Sequence, residues 1–526
     1  MRILRNITIV WALSLSVLVH ASLNETLPSW HWAYRMIERF QTKGFITNLF
    51  EMNRPYSRGD VAVSLIGMRK AMNENAFFLS PTDQKIFVRL VREFAPEIQS
   101  LSGAGGSDEI LEGGVHLWGD LVQLPESGAK YKGIYRTRIS ASLGPHVTVY
   151  NGTDFDQYKV DDSTYVGKKW RGVVGFSEQA YLSASFSRFR IKFGRDFLRW
   201  GAGRNGTLIF SNVCRPLDQI QGSADIGPFR FSFAASALDD WTLSPEWADS
   251  LGHGTARRYL SAHRIDASFY NGRLQLGASE LMVYGGVHRP MDFVYLNPFL
   301  IFHGAQMNNK DRVNTAGSLD VLAYPAPNLK LYGSLLIDDI QVEKTGPGDL
   351  EPDEMGWILG AEWADPFQAA GLSLFSEFAR VTNRTYKTPT EWETLVFRNE
   401  PIGYPLGHDF DTWDVGLSQW IGADFFAELI FSRTRKGEGS LFAPWDAPWF
   451  EHTVEEGYSE PYLTGTVETS QQWRMHLRYA PSIHWGVDGL ILSRNRKNAY
   501  HIPDETKNET EWRIRLWVDG AVRFAF

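Results

Sequence analysis

Residues 512, 514, 516, 518, 520, 522, 524 and 526 are Trp, Ile, Leu, Val, Gly, Val, Phe and Phe, all apolar or glycine. The intervening positions hold Glu511, Arg513, Arg515, Trp517, Asp519, Ala521, Arg523 and Ala525. Side chains on a strand alternate between faces, so residues 510–526 are expected to form a strand with one greasy and one charged face. That pairing fits an outer-membrane barrel, whose lipid face is apolar and whose lumen is polar. A one-residue slip would push Arg513, Arg515 and Asp519 into lipid, at about 2 to 4 kcal/mol for each Arg near the midplane, so the register is fixed.

The rest of the composition is consistent with such a barrel. The 19 Trp, 20 Tyr and 33 Phe could supply aromatic rings at both membrane interfaces. A net charge of -8 argues against a nucleic-acid binder, which would carry a basic surface. Mean hydropathy of -0.26 excludes a bundle of membrane helices, whereas a barrel turns only alternate residues to lipid and keeps a soluble-looking average.

At the N-terminus, Arg2 and Arg5 precede an apolar run from Ile7 to Val19, and Val19-His20-Ala21 offers small residues for cleavage after Ala21. Residues 1–21 therefore read as a signal peptide, which places the protein outside the cytoplasm. Cys214 is the single cysteine, so a disulfide framework is not expected, nor is a lipid anchor after the leader.

Residues 22–100 are patterned as a small periplasmic three-helix bundle. Trp30, Ala33, Tyr34, Ile37 and Phe40 recur at helical spacing before Gly44; Ser57 with Asp60 opens a second helix; Ser80-Pro81-Thr82-Asp83 opens a third. A Gly/Ser-rich linker at 101–110 follows. From 111 to 526 the apolar period becomes two. Candidate strands are 111–124, 130–143, 145–151, 180–196, 229–237, 259–270, 273–284, 318–323, 329–340, 372–380, 411–419, 424–433, 467–480 and 483–494, then the last one. Tight turns at Gly144-Pro145, Asn271-Gly272, 325–328, Ile421-Gly422 and Pro481-Ser482 alternate with long polar excursions, as in a barrel with one plain and one elaborated end. An even strand number is expected, and we take it as 18.

Few motifs suggest chemistry. Gly201-Ala202-Gly203-Arg204-Asn205-Gly206 spells a dinucleotide fingerprint, but no buried parallel strand and helix surround it, so no nucleotide cofactor is expected. No HExxH, GxSxG or CxxC pair occurs. His408, Asp409 and Asp411 read as a solvated loop, and Asp349, Glu351, Asp353 and Glu354 as an acidic screening loop rather than a metal site. Trp445, Asp446, Trp449 and Phe450, followed by Tyr458 and Tyr462, set aromatic faces beside carboxylates; Trp241 and Trp247 lie in a similar cluster with Asp239, Asp240 and Glu246. Flat rings for C–H faces and acceptors for hydroxyls are what a sugar site needs. Interfacial belts and loop packing use the same residues.

The segment Phe193-Gly194-Arg195-Asp196-Phe197-Leu198-Arg199-Trp200-Gly201-Ala202-Gly203, with Leu208, Ser211-Asn212 and Pro216, resembles a segment of the Wzi-like capsule-assembly outer-membrane proteins. Residues 295–299, 332–339 and 53–58 are similar to further segments of that family. Gly194, Arg195, Trp200, Gly201 and Gly203 carry the motif, while Ala202 stands where Pro is expected. The resemblance implies an 18-stranded barrel with a periplasmic helical bundle, a non-enzymatic, lectin-like protein that helps hold capsular or exopolysaccharide at the surface of a Gram-negative-type cell. Its partners would be polysaccharide and outer-membrane lipid, as a monomer. The competing reading is a porin or specific solute channel, because Arg474, Arg478, Arg513 and Arg515 fall on inward faces. An outer-membrane hydrolase would need a nucleophile beside a base, and no spacing suggests one.

Overall fold

The computed structural model describes residues 22–525 apart from 104–108, 126–127, 163–164, 166, 310–312 and 344. The leader, half of the 101–110 linker and Phe526 therefore lie outside the described residues. Nineteen strands form one sheet, and eighteen of them run its height; Trp241–Thr242 is a two-residue addition in a loop. Each long strand pairs antiparallel with its neighbours in sequence. The first, Glu109–Gln123, pairs with the last, Thr506–Ala525, from Ile110↔Ala525 to Gln123↔Trp512, and closes the cylinder. Closure leaves no open edge, the condition for a sheet in lipid.

The alternation falls as the sequence demands. Ile514, Leu516, Val518, Val522 and Phe524 are all exposed on the outside. On the inside, Arg515 donates to Asp120 at 2.6 and 2.7 Å, and Asp519 accepts from Arg138 at 3.0 Å. Trp517 also turns inward, buried beneath Arg478 at 4.9 Å. Ile514→Arg is thus expected to cost about 2 to 4 kcal/mol of barrel stability in denaturant titrations of liposome-folded protein. A loss below about 0.5 kcal/mol would show that this face does not meet lipid.

Three strand expectations change. The run 180–196 is a hairpin, Val174–Phe186 and Phe189–Asp196, turning at Ser187 with φ of 56°. Strand Leu217–Ile226 escapes the pattern because Gly222 and Ala224 thin its lipid-facing stripe. Strand Glu354–Ala364 escapes it for a different reason: Gly356, Ile358, Gly360 and Ala364 interrupt the polar inner face that Glu354 and Glu362 mark, so the two faces contrast weakly.

At the short-turn end, helices Ala33–Thr42, Arg58–Asn73 and Pro81–Glu93 form where expected, with Ser57 and Ser80 accepting from the Asp60 and Asp83 amides at 3.0 and 3.1 Å. The third pattern breaks ahead of Pro96, giving a fourth short helix, Ala95–Leu101. Their core, including Phe40, Leu65, Ile86 and Leu90, is continuous with Trp420, Ala423 and Phe426 of the barrel. Ion pairs pin the helices to barrel turns: Arg39 to Asp365 at 2.6 Å and Arg89 to Asp424 at 2.7 Å.

Candidate functional site

The connection 197–216 leaves strand Phe189–Asp196 and folds into the barrel. Arg199–Trp200 pairs antiparallel with Asn53–Arg54, and the Gly201 amide donates to Met52 O at 2.9 Å. Two segments far apart in sequence thus zip together inside the cylinder. Gly201 sits at φ 114°, Gly203 lies so close to the Gly206 carbonyl that a side chain would collide with it, and a Cβ on Gly206 would lie 2.5 Å from Pro405 Cδ. These glycines serve a crowded crossing, not a phosphate cradle. Trp200 is wholly buried, edge-on to Phe210 at 5.1 Å. Arg204 bonds Glu428 at 2.7 Å, and Arg195 bonds Asp218 at 2.9 Å on the neighbouring strand. Gly194, at φ 123°, packs against the Ala180 carbonyl. All five motif residues therefore act in placing the inward loop or the strands beside it.

Beneath that loop, Glu38 is half-buried, and burial alone would raise its carboxyl, but Arg54 at 2.6 Å together with Lys330 and Arg204 outweighs the burial and holds it down at about 2. Arg199 is pulled down to about 10 by burial and the neighbouring Arg54.

At the long-loop end, Arg384 organises the aromatic residues. It is nearly fully buried, lies 5.0 Å over Trp449 and 5.9 Å over Trp445, and bonds Asp446 at 2.9 Å and Glu460. Trp449 meets Trp445 at 6.2 Å, Phe450 at 6.1 Å and Tyr458 at 6.3 Å. Trp449 is buried, whereas Asp446 and Phe450 are exposed. Tyr462 stands apart from this group, under Arg380 at 3.4 Å. The second cluster divides: Trp247 meets Trp392 at 5.0 Å, and Trp241 stacks at 6.4 Å on Phe442, bridging loops 238–254 and 437–467. Arg384, Trp392, Phe442 and Glu460 were not singled out from sequence. An arginine is placed by contacts 62 to 76 residues away, and no local period signals them.

The expected solvated cluster is a correction. His408, Asp409 and Asp411 are buried, because Asp409 accepts from the Gly439 and Thr464 amides at 2.8 and 3.2 Å, and His408 Nδ1 accepts from the Arg384 amide at 2.6 Å. These groups tie three loops together. The acidic stretch is likewise mixed. Asp349 caps its own turn through the Thr345 and Gly346 amides at 2.7 and 2.9 Å, Glu354 is buried, and burial beside Asp339 pushes Glu351 up to about 7.

Between loops and helices lies a cavity of 940 Å³ on the side of strands Phe410–Ile421 through Thr506–Ala525. Arg474, Arg494, Arg513 and Arg515 line its wall, and Trp30, Trp32 and Arg35 its floor.

The family model for capsule assembly protein Wzi matches residues 129–509. No curated protein matches the chain. Among solved structures, the chain is similar to Wzi of Escherichia coli, an outer membrane protein involved in group 1 capsule assembly and a carbohydrate-binding β-barrel. The TM-score is 0.64 at 13% identity, covering 94% of this chain and 99% of that one. It is more distantly similar to OccK1 (OpdK) of Pseudomonas aeruginosa, TM-score 0.46 at 9% identity over 79% of this chain and 100% of that one. The outer membrane channel DcaP of Acinetobacter baumannii gives 0.40 at 10% over 79% and 98%.

Proposed function

The chain belongs to the capsule assembly protein Wzi family, and from that premise we propose that it is an outer-membrane barrel that holds capsular or exopolysaccharide at the cell surface through its long loops, without catalysing a reaction. The observation that carries this reading is the Arg384 cluster. One buried guanidinium fixes two indoles, Trp445 and Trp449, and two carboxylates, Asp446 and Glu460, at the long-loop end. Rings held rigid lose little entropy on binding a sugar face, and neighbouring acceptors meet its hydroxyls. Phe450 is exposed beside Trp449, and the exposed Tyr462 and Phe442 and the partly exposed Trp241 stand elsewhere on the long loops.

In this arrangement the helical part lies in the periplasm, residues 1–21 direct export, and the barrel works as a monomer. Against a solute channel stand the inward loop 197–216 and the helices, which fill much of the interior.

The test is co-sedimentation of the purified barrel with capsular polysaccharide from its own host. Binding is expected to weaken about tenfold or more in Arg384→Ala and in the pair Trp445→Ala/Tyr458→Ala, with the heat-modifiable barrel band unchanged. Absence of binding by the parent protein, together with an unaltered capsule in a deletion strain, would end the proposal.

A further inference from the structure

The cavity of 940 Å³ carries unbalanced charge along one wall. It opens between strand ends at the long-loop side, where Lys436, Glu468 and Arg496 stand, and its floor is made by the helical segment, with Trp30, Trp32 and Arg35. The carboxylates that line it already have partners, and Glu511, on the same inward face as Arg513, lies outside the lining. Glu428 pairs with Arg204 at 2.7 Å and Arg35 at 3.3 Å, Glu362 with Lys330 at 3.2 Å, Glu468 with Arg496 at 4.0 Å, and Asp488 with His476 at 3.2 Å; Asp414 accepts from Ser432.

Among the described residues, three guanidiniums on adjacent strands have no carboxylate within ion-pair distance. Arg494 donates to the amide oxygen of Gln472 at 2.9 and 2.7 Å. Arg474 reaches Asn205 Oδ1 at 3.5 Å, and its Nε is buried with no hydrogen-bond partner. Arg513 has no ion-pair or hydrogen-bond partner among the described residues. The register places Arg494 between Gln472 and Glu509, whose carboxylate is taken by Arg496 at 3.0 Å and Lys507 at 3.4 Å, and Arg513 opposite Leu490, so all three fall within a few rows of one another. Strands lie about 4.8 Å apart, which brings the forks within reach of one small ligand.

Guanidinium forks that lack protein partners match carboxylates in shape and charge. Gln472, Ser470 and Thr434 add hydroxyl-binding groups, and the floor adds the indoles of Trp30 and Trp32. A neutral sugar would leave the cations unmet, and a bare inorganic anion would leave the aromatic floor unused.

We propose that this lumen cavity is a second saccharide site, distinct from the loops, which takes the acidic sugar units of a glycan, with Arg474, Arg494 and Arg513 gripping a uronate carboxylate above an aromatic floor. A site closed by helices below and open above holds the end or a branch of a chain rather than passing it.

The full-length protein in nanodiscs is titrated with trigalacturonate, with maltotriose and with inorganic phosphate, reading tryptophan fluorescence and calorimetry. Trigalacturonate is expected to bind at least tenfold more tightly than either control, and more weakly as salt rises. Arg474→Gln and Arg513→Gln are each expected to reduce that affinity about tenfold, and Arg494→Gln likewise, whereas Trp445→Ala/Tyr458→Ala leaves it unchanged. Equal binding of maltotriose, equal binding of phosphate, or retained affinity in the Arg474→Gln/Arg513→Gln double variant would overturn the proposal. Loss in the loop variant instead would assign the acidic sugar to the loops and overturn it too. Co-sedimentation of the lumen variants with host polysaccharide separates the two sites: loop binding can fail while trigalacturonate binding persists, and the reverse.

Discussion

Arg264→Met is expected to destabilise the folded barrel by about 3 to 5 kcal/mol, the cost of breaking a buried ion pair from one side. Arg264, Asp266 and Asp320 are each fully buried on the inner wall. The guanidinium donates to Asp266 at 2.8 Å, Asp320 at 2.6 Å and Ser279 at 2.8 Å. Both carboxylates also hold the inward segments, since Asn53 donates to Asp266 at 2.8 Å and Asp320 lies against Gly201. Removing the arginine strands two anions where water cannot reach them, and methionine fills the space without repaying the charge. The loss therefore reaches the Asn53–Arg54 and Arg199–Trp200 pairing. Denaturant titration of liposome-folded protein measures the whole effect, and limited proteolysis within 197–216 measures the local part. Arg264→Met combined with Asp266→Asn and Asp320→Asn is expected to recover most of the stability. A loss under 1 kcal/mol in the single variant, or no recovery in the triple one, would show that the trio is not the clasp.

The same trio explains why the interior was less legible than the wall. An outward face needs one property, greasiness, repeated every second residue, and Ile514, Leu516 and Val518 display it without reference to any other part of the chain. Hence most of the wall strands and the helix caps at Ser57 and Ser80 followed from local pattern, whereas the count of eighteen rested on the even-number rule and the family resemblance. Inward residues answer to partners tens or hundreds of positions away. Ile358 is apolar on an inner face because loop 197–216 fills the lumen beside it, and that blurred strand Glu354–Ala364. His408 and Asp409 looked solvated because their amide partners come from Arg384, Gly439 and Thr464. The aromatic loop residues were visible as a composition, but their organiser was not, since a lone arginine in a loop carries no signal until Trp445 and Trp449 fold over it. The free arginines show the same limit from the other side: Arg474 and Arg513 were read as inward, but which cations lacked partners depended on every neighbouring strand.

Asp83→Ala/Asp365→Ala is expected to loosen the helical segment where Ala33–Thr42 and Pro81–Glu93 meet the barrel. Arg39, almost wholly buried, bonds Asp83 at 2.7 Å and Asp365 at 2.6 Å; Lys43 bonds Asp83 at 2.6 Å and also pairs with Asp365. Losing both carboxylates leaves two buried cations facing each other, and the Ser80 cap loses its reciprocal partner. A one-sided break costs about 3 to 5 kcal/mol at this end of the segment, where the remaining Arg89–Asp424 contact is half exposed, while Arg190–Asp60 at 2.7 Å and the apolar contact with Trp420 and Phe426 hold the rest. Planar-bilayer recordings are expected to pass from a nearly silent parent to frequent openings in the variant, with the barrel band on gels unchanged. The direction with pH follows from Asp83. Burial alone would raise its carboxyl, but Arg39 and Lys43 outweigh burial and hold it below the ordinary 3.8. A carboxylate depressed in the folded state stabilises that state above its unfolded value and loses the effect as pH falls through its folded value. The parent should therefore stay closed from neutral pH down to about 4 and begin to open only in stronger acid. Openings that begin at pH 6, or a double variant as silent as the parent, would mean that these carboxylates do not hold the helices in place.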